Sequence, residues 1–108
     1  MSVITQHQYA GHTVDLGPDG FMVDSEQWSR EVGEAIAAEA GITLTPKHWQ
    51  VIEFCRDDAK EQNGEAPGLR RISKNSGVPM KELYQLFPKG PGKLAAKVAG
   101  LPKPHACI

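Results

Sequence analysis

The sequence predicts a single, mainly α-helical domain with a small β-hairpin at its N-terminal end and an extended arm at its C-terminal end. Three observations carry that reading. Between residues 24 and 63, apolar side chains recur at helical spacing in two consecutive segments, each bounded by a capping residue and a glycine stop. Strand-type alternation is confined to the beginning of the chain, and the last eight residues follow a glycine and hold two prolines in alternation. A chain of 108 residues, 40% hydrophobic, has room for one compact core, which at this size buries roughly 60–70% of the surface of the unfolded chain.

The alternation runs through His12-Thr13-Val14-Asp15-Leu16, breaks at Gly17-Pro18-Asp19-Gly20 and resumes with Phe21-Met22-Val23, which predicts a hairpin between those two runs. Asp24 is a good N-cap with Gln27 three residues on, and Val23 is placed to staple onto Trp28, so a helix is expected to start there. Its apolar stripe is Trp28, Val32, Ala35, Ile36 and Ala40, and Gly41 supplies the left-handed stop. A second helix is capped by Thr45 with Pro46 at N1; Val51, Ile52, Cys55 and Ala59 share one face before Asn63-Gly64 ends it. Beyond Pro67-Gly68, the segment from Leu69 to Gly77 and a second from Pro79, with Leu83, Tyr84 and Leu86 facing inward, give a helix-turn-helix outline. Phe87-Pro88 must interrupt it, because the residue before proline is driven out of the α region. Gly90-Pro91 restarts a last helix carrying Leu94, Ala95 and Val98, and Gly100 stops it. The domain is therefore expected over residues 1–100, and residues 101–108 read as a polyproline-like arm.

The net charge of -1 conceals an asymmetry: residues 1–68 carry twelve acidic side chains against four basic ones, and residues 69–108 eight basic against one acidic. A basic half suits an anionic partner such as tRNA, DNA or an acidic protein, or else an internal match between an acidic and a basic layer. No stretch approaches the ~20 apolar residues that span a bilayer, and the start of the chain has neither the basic nor the apolar part of a secretion signal. A cytoplasmic protein without membrane contact is expected. Two cysteines, Cys55 and Cys107, are too few for a disulfide framework.

Cys107 is the feature to explain, since a thiol one residue from the end of a proline-stiffened arm supports no core. Eight residues beyond Gly100 can carry its sulfur more than about 20 Å from the last helix, far enough to enter another protein's active site. A thiolate there can take the terminal sulfur of a donor persulfide and hand it on by the same chemistry. Lys97 and Lys103 favour the thiolate and the terminal carboxylate opposes it, so activation is expected from the partner. His105 makes a His-x-Cys fragment with Cys107, but two ligands at that spacing are a weak metal signal; a spacer or partner contact is the plainer role. Cys55 belongs to a helical apolar stripe and reads as a buried small hydrophobe. Trp28, Trp49 and His48 read as packing residues, and His7 and His12 have no acidic or thiol companions.

The segments Asp19-Gly20-Phe21, Trp28, Gly41-Ile42, Leu44-Thr45, His48-Trp49, Val51-Ile52, Phe54, Leu83-Tyr84, Leu86-Phe87-Pro88-Lys89-Gly90-Pro91 and Ala99-Gly100-Leu101-Pro102-Lys103-Pro104, with Cys107, resemble the TusE/DsrC family of sulfur-carrier proteins. The likeness covers nearly the whole chain and is most specific over the last 26 residues. It implies a DsrC-like helical domain with a helix-turn-helix portion and a flexible C-terminal arm, and it matches Cys107 to the family's penultimate, functional cysteine. DsrC proteins serving dissimilatory sulfite reductase have a second arm cysteine eleven positions earlier; here that position is Ala96. The resolving thiol of their redox cycle is thus missing, and single-cysteine carrier chemistry, as in TusE-like members, is what the resemblance supports.

The expectation is accordingly a sulfurtransferase in the broad sense: a relay accepting sulfur on Cys107 from a TusBCD/DsrEFH-type complex and delivering it to a tRNA thiolase with bound tRNA, for wobble 2-thiouridine. No cofactor or metal is expected. Two alternatives stand beside it, a partner of sulfite reductase lacking the second arm cysteine, and a helix-turn-helix DNA-binding regulator with Arg70, Arg71, Lys74 and Lys81 around the motif.

Overall fold

The computed structural model describes residues 3–104. A β-hairpin of β1 (Thr5–Tyr9) and β2 (His12–Leu16) leads into a 3-10 turn (Ser25–Gln27) and five helices: α1 (Arg30–Glu39), α2 (Pro46–Glu61), α3 (Leu69–Asn75), α4 (Met80–Leu86) and α5 (Pro91–Val98). The mainly helical class with an N-terminal hairpin is as the sequence predicts, but the hairpin's partner strand differs. β2 pairs antiparallel with β1, from Thr5 opposite Leu16 to Tyr9 opposite His12, across Ala10-Gly11, whose φ values of 54° and 81° supply the two left-handed residues of a tight hairpin turn. Phe21–Val23 returns only as far as the Leu16–Met22 bridge and the Val23 N–H bond to the Asp15 carbonyl (3.0 Å). The turn closed by Gly17 N–H to Phe21 O (2.8 Å) sends Phe21 and Met22 into the core instead. β1 left no apolar alternation to read because its first four residues are exposed.

The first helix also begins later than expected. Asp24 Oδ1 accepts from Glu26 N–H (3.0 Å) and so caps the 3-10 turn; Trp28 is then extended, and Ser29 Oγ accepts from Val32 N–H (3.3 Å) to open α1. Gln27 does not close a capping box. It bonds both the backbone N–H (2.8 Å) and the carboxylate (3.0 Å) of Asp15, joining the turn to β2. Val23 is exposed, so it staples nothing. α1 ends at Gly41 (φ 78°) with Ile42 N–H bonded to Ala37 O (2.8 Å), the left-handed closure the sequence signals.

α2 follows Thr45 and Pro46 as expected, and its N3 residue is a histidine: His48 Nδ1 accepts from Thr45 N–H (3.0 Å), the part a glutamate usually plays. Val51, Ile52, Cys55 and Ala59 are buried on its inner face. α3 is tied to α2 by Arg71, whose Nη2 lies 2.7 Å from buried Asp58, and turns into α4 at Gly77 (φ 83°). On α4 Leu83 faces the core, whereas Tyr84 is half exposed rather than inward. Phe87, forced from helical geometry by Pro88, is fully buried with its ring edge-on to His48 (5.1 Å). α5 packs against α1, α2, α3 and α4, and its C-terminal end leads to the segment of interest.

Candidate functional site

Cys107 and His105, the cysteine and its neighbour singled out in the sequence, lie outside the described residues. What the structure does describe is the chain up to Pro104. Gly100 takes φ 72°, and Leu101 N–H reaches back to Ala96 O (2.9 Å), a closure that folds the residue after the glycine onto the helix. Leu101 is accordingly buried, and so is Pro104, while Pro102 and Lys103 are exposed. Leu101, the first residue of the segment that the sequence reads as an arm, is packed in the core. The two prolines are not equivalent, since Pro102 is exposed and Pro104 is buried.

The acceptors at this helix end can be followed one by one. Ala95 O accepts from Ala99 N–H (3.0 Å), Ala96 O from Leu101 N–H and Lys97 O from Gly100 N–H (3.1 Å). The next two carbonyls have side-chain donors from distant elements. Trp28 Nε1 donates to Val98 O at 2.7 Å, and Arg56 Nη1 to Ala99 O at 2.8 Å, while Arg56 Nη2 reaches Ser25 O at 3.2 Å. The guanidinium lies 4.2 Å from the centre of the Trp28 ring, a cation–π contact worth about 0.5–1 kcal/mol at a half-exposed site. Burial lowers the Arg56 pKa below its ordinary value, with Asp57 pulling the other way. The indole also presses on two glycines: a Cβ at Gly100 would overlap the ring, and one at Gly33 would lie 3.0 Å from it. Trp49 meets Trp28 edge-on at 6.4 Å, and Arg30 lies 3.9 Å over Trp49. Sequence reasoning read Trp28 as packing and passed over Arg56. The available signal was chemical: a half-buried indole N–H needs an acceptor.

The remaining candidates separate clearly. Cys55 is fully buried, and desolvation, with Asp58 adding to it, pushes its pKa up to about 12, so the thiol stays protonated at neutral pH. Ala96, which the resemblance sets against a second arm cysteine, is buried on α5. His48 is structural, with Nε2 2.9 Å from Leu86 O as well as its bond to Thr45. Among the described residues there is no group of three or more His, Cys, Asp or Glu that could hold a metal ion, and no helix long and apolar enough to cross a membrane. Of the helix-turn-helix cations, Arg71 is engaged by Asp58, whereas Arg70, Lys74 and Lys81 are exposed. A cleft of about 280 Å³ between Leu69, Tyr84, Lys89 and Lys93 carries two cations and, among the described residues, no carboxylate.

A hairpin-headed helical domain, with a short helix-turn-helix pair and a last helix anchored where it releases the C-terminal segment, defines the structural class. The family model described as DsrC like protein matches residues 8–108, and the chain belongs to that family. The gamma subunit of dissimilatory-type sulfite reductase from Nitratidesulfovibrio vulgaris is 44% identical over 101 residues, covering 93% of this chain and 95% of that protein. Sulfurtransferase TusE from Escherichia coli K12 is 40% identical over 107 residues, covering 93% and 97%. Among solved structures, the NMR structure of Allochromatium vinosum DsrC is 30% identical with a TM-score of 0.83, covering 98% of this chain and 100% of that one. The crystal structure of dissimilatory sulfite reductase I (DsrI) is 40% identical with a TM-score of 0.82, covering 96% and 100%.

Proposed function

We propose that the protein is a sulfur relay that carries sulfur as a persulfide on Cys107. The observation that carries this reading is the contrast between its two thiols: Cys55 is buried and held protonated up to about pH 12, which leaves Cys107, three residues beyond the packed Pro104 and inside the segment matched by the family model, to do thiol chemistry. Membership of a family whose relatives are named sulfurtransferase TusE and sulfite reductase gamma subunit supports sulfur transfer. The step balances without an added oxidant or reductant. Cys107 thiolate attacks the outer sulfur of a donor persulfide, the donor's S–S bond breaks, the donor thiolate leaves, and Cys107 holds the persulfide. An acceptor nucleophile then attacks that outer sulfur and Cys107 thiolate departs.

Loading is proposed to come from a TusBCD/DsrEFH-type complex in the cytoplasm, and delivery to go to a tRNA thiolase with bound tRNA. Ala96 favours this over the sulfite-reductase cycle, since a buried alanine occupies the place of the second cysteine. The test is reconstitution: loaded protein should supply sulfur for 2-thiouridine on tRNA in the presence of the thiolase, and Cys107→Ser should supply none. Release of sulfur to a sulfite reductase, with no thiolated tRNA, would assign the chain to the other branch of the family.

A further inference from the structure

The end of α5 is held by side chains from distant elements as well as by its own backbone closure. Carbonyls at a helix C-terminus lack intrahelical donors, and backbone closure or water commonly satisfies them. Here backbone closure supplies donors to Ala95, Ala96 and Lys97. The next two carbonyls belong to Val98 and Ala99, both fully buried, so bulk water does not serve them. Instead Val98 O takes the Trp28 indole N–H from 70 residues away, and Ala99 O takes Arg56 from 43 residues away. The same guanidinium stacks on the same indole and bonds Ser25 O, so donor, ring and the 3-10 turn form one unit. Gly100, at φ 72° and without a side chain, is the natural pivot of the segment that follows. The Trp28 ring lies against that pivot, close enough that even a methyl group would overlap it.

We propose that Trp28 and Arg56 are positioning residues for sulfur transfer: by fixing the carbonyls of Val98 and Ala99 and blocking rotation at Gly100, they set the direction in which the C-terminal segment leaves the body. The proposal rests on the relay reading, because direction matters only if the segment delivers something. Leu101, packed into the core, and the buried Pro104 are the first points of that course. A carrier presenting a short tail to a partner loses rate when the tail's root wanders, since ordering it must then be supplied on docking. Arg56 suits this work better than a lysine because its planar fork serves two carbonyls while its face rests on the ring.

The test measures direction and transfer separately. With Cys107→Ser as background and Cys55 unreactive in the core, spin labels at Lys103→Cys and Gln85→Cys, both exposed positions, report the course of the segment by pulsed dipolar spectroscopy. The distance distribution should be narrow in the parent and should broaden or shift in Trp28→Phe and in Arg56→Lys. It should stay narrow in Ile72→Val, a core change that lowers stability elsewhere. In the full chain with Cys107 intact, the same two variants should lose about tenfold in the rate of sulfur transfer from a loaded donor protein, while the alkylation rate of Cys107 by a small reagent stays at the parent value. An unchanged distribution in both variants would overturn the proposal, as would a broadened distribution with undiminished transfer, which would make the cluster merely structural. If Cys107→Ser still accepts sulfur, the relay reading fails, and the distance measurement still shows whether the root is clamped.

Discussion

At its N-terminal end α5 starts from Gly90 and Pro91 with no side-chain cap, between the exposed Lys89 and Lys93. At its C-terminal end the carbonyls of Val98 and Ala99 are taken by Trp28 and Arg56, and a glycine is packed under an indole ring. The two ends of one eight-residue helix therefore differ in what holds them: a proline-preset backbone at the start, long-range side-chain donors at the finish. The difference teaches that α5 takes its long-range side-chain bonds at the end that leads into Gly100 and Leu101. Backbone preference suffices at the end that only has to begin a helix.

Substituting glycines should break that comparison most strongly. Gly100→Ala places a Cβ against the Trp28 ring at positive φ, and should cost roughly 3 kcal/mol or more of unfolding free energy, from left-handed strain plus displacement of the ring. Gly41→Ala has a similar φ of 78° but nothing within 4 Å of the added carbon, and should cost only about 1 kcal/mol, the strain alone. Denaturant unfolding of both variants reads the difference; equal costs would mean that the ring does not press on Gly100.

A smaller effect should follow from shortening the chain. Comparing a protein ending at Pro104 with one ending at Pro102 removes the exposed Lys103 and the buried Pro104, whose burial should contribute up to about 1 kcal/mol. Melting curves that coincide would show that this burial adds nothing to the body.

A third effect, which appears only at high pH, concerns the other thiol. Burial raises the folded-state pKa of Cys55 from 9.0 to about 12. Its contribution to stability is whole below about pH 9, where both states keep the proton. It is lost as pH rises towards 12, where the unfolded chain has already released the proton. Stability of the parent should therefore fall over that window more steeply than that of Cys55→Ala, measured by urea unfolding at a series of pH values. Parallel curves would place Cys55 in a wetter setting than the core described above.

Much of this was legible in the sequence, and what was not has physical causes. Thr45-Pro46, Gly41, Gly77 and Phe87-Pro88 act through local sterics and hydrogen bonding, so their turns, caps and stops fall where the sequence puts them. The helical stripe with Cys55 in the core was readable from periodicity alone. β1 escaped because its exposed side chains carry no pattern, and the late start of α1 because Gln27 found Asp15, twelve residues back, a better partner than its own cap. Arg56 lies on a helix among charged neighbours and looks like an ordinary solvated residue until the end of α5 is folded against it. Contacts spanning 43 and 70 residues leave no local trace.

The central claim is that sulfur resides on Cys107, and intact-mass analysis after incubation with a persulfide donor tests it most directly. The parent and Cys55→Ala should each gain about 32 Da per transferred sulfur atom, lost on reduction, and Cys107→Ser should gain nothing. An adduct that persists in Cys107→Ser, or that disappears in Cys55→Ala, would contradict the account.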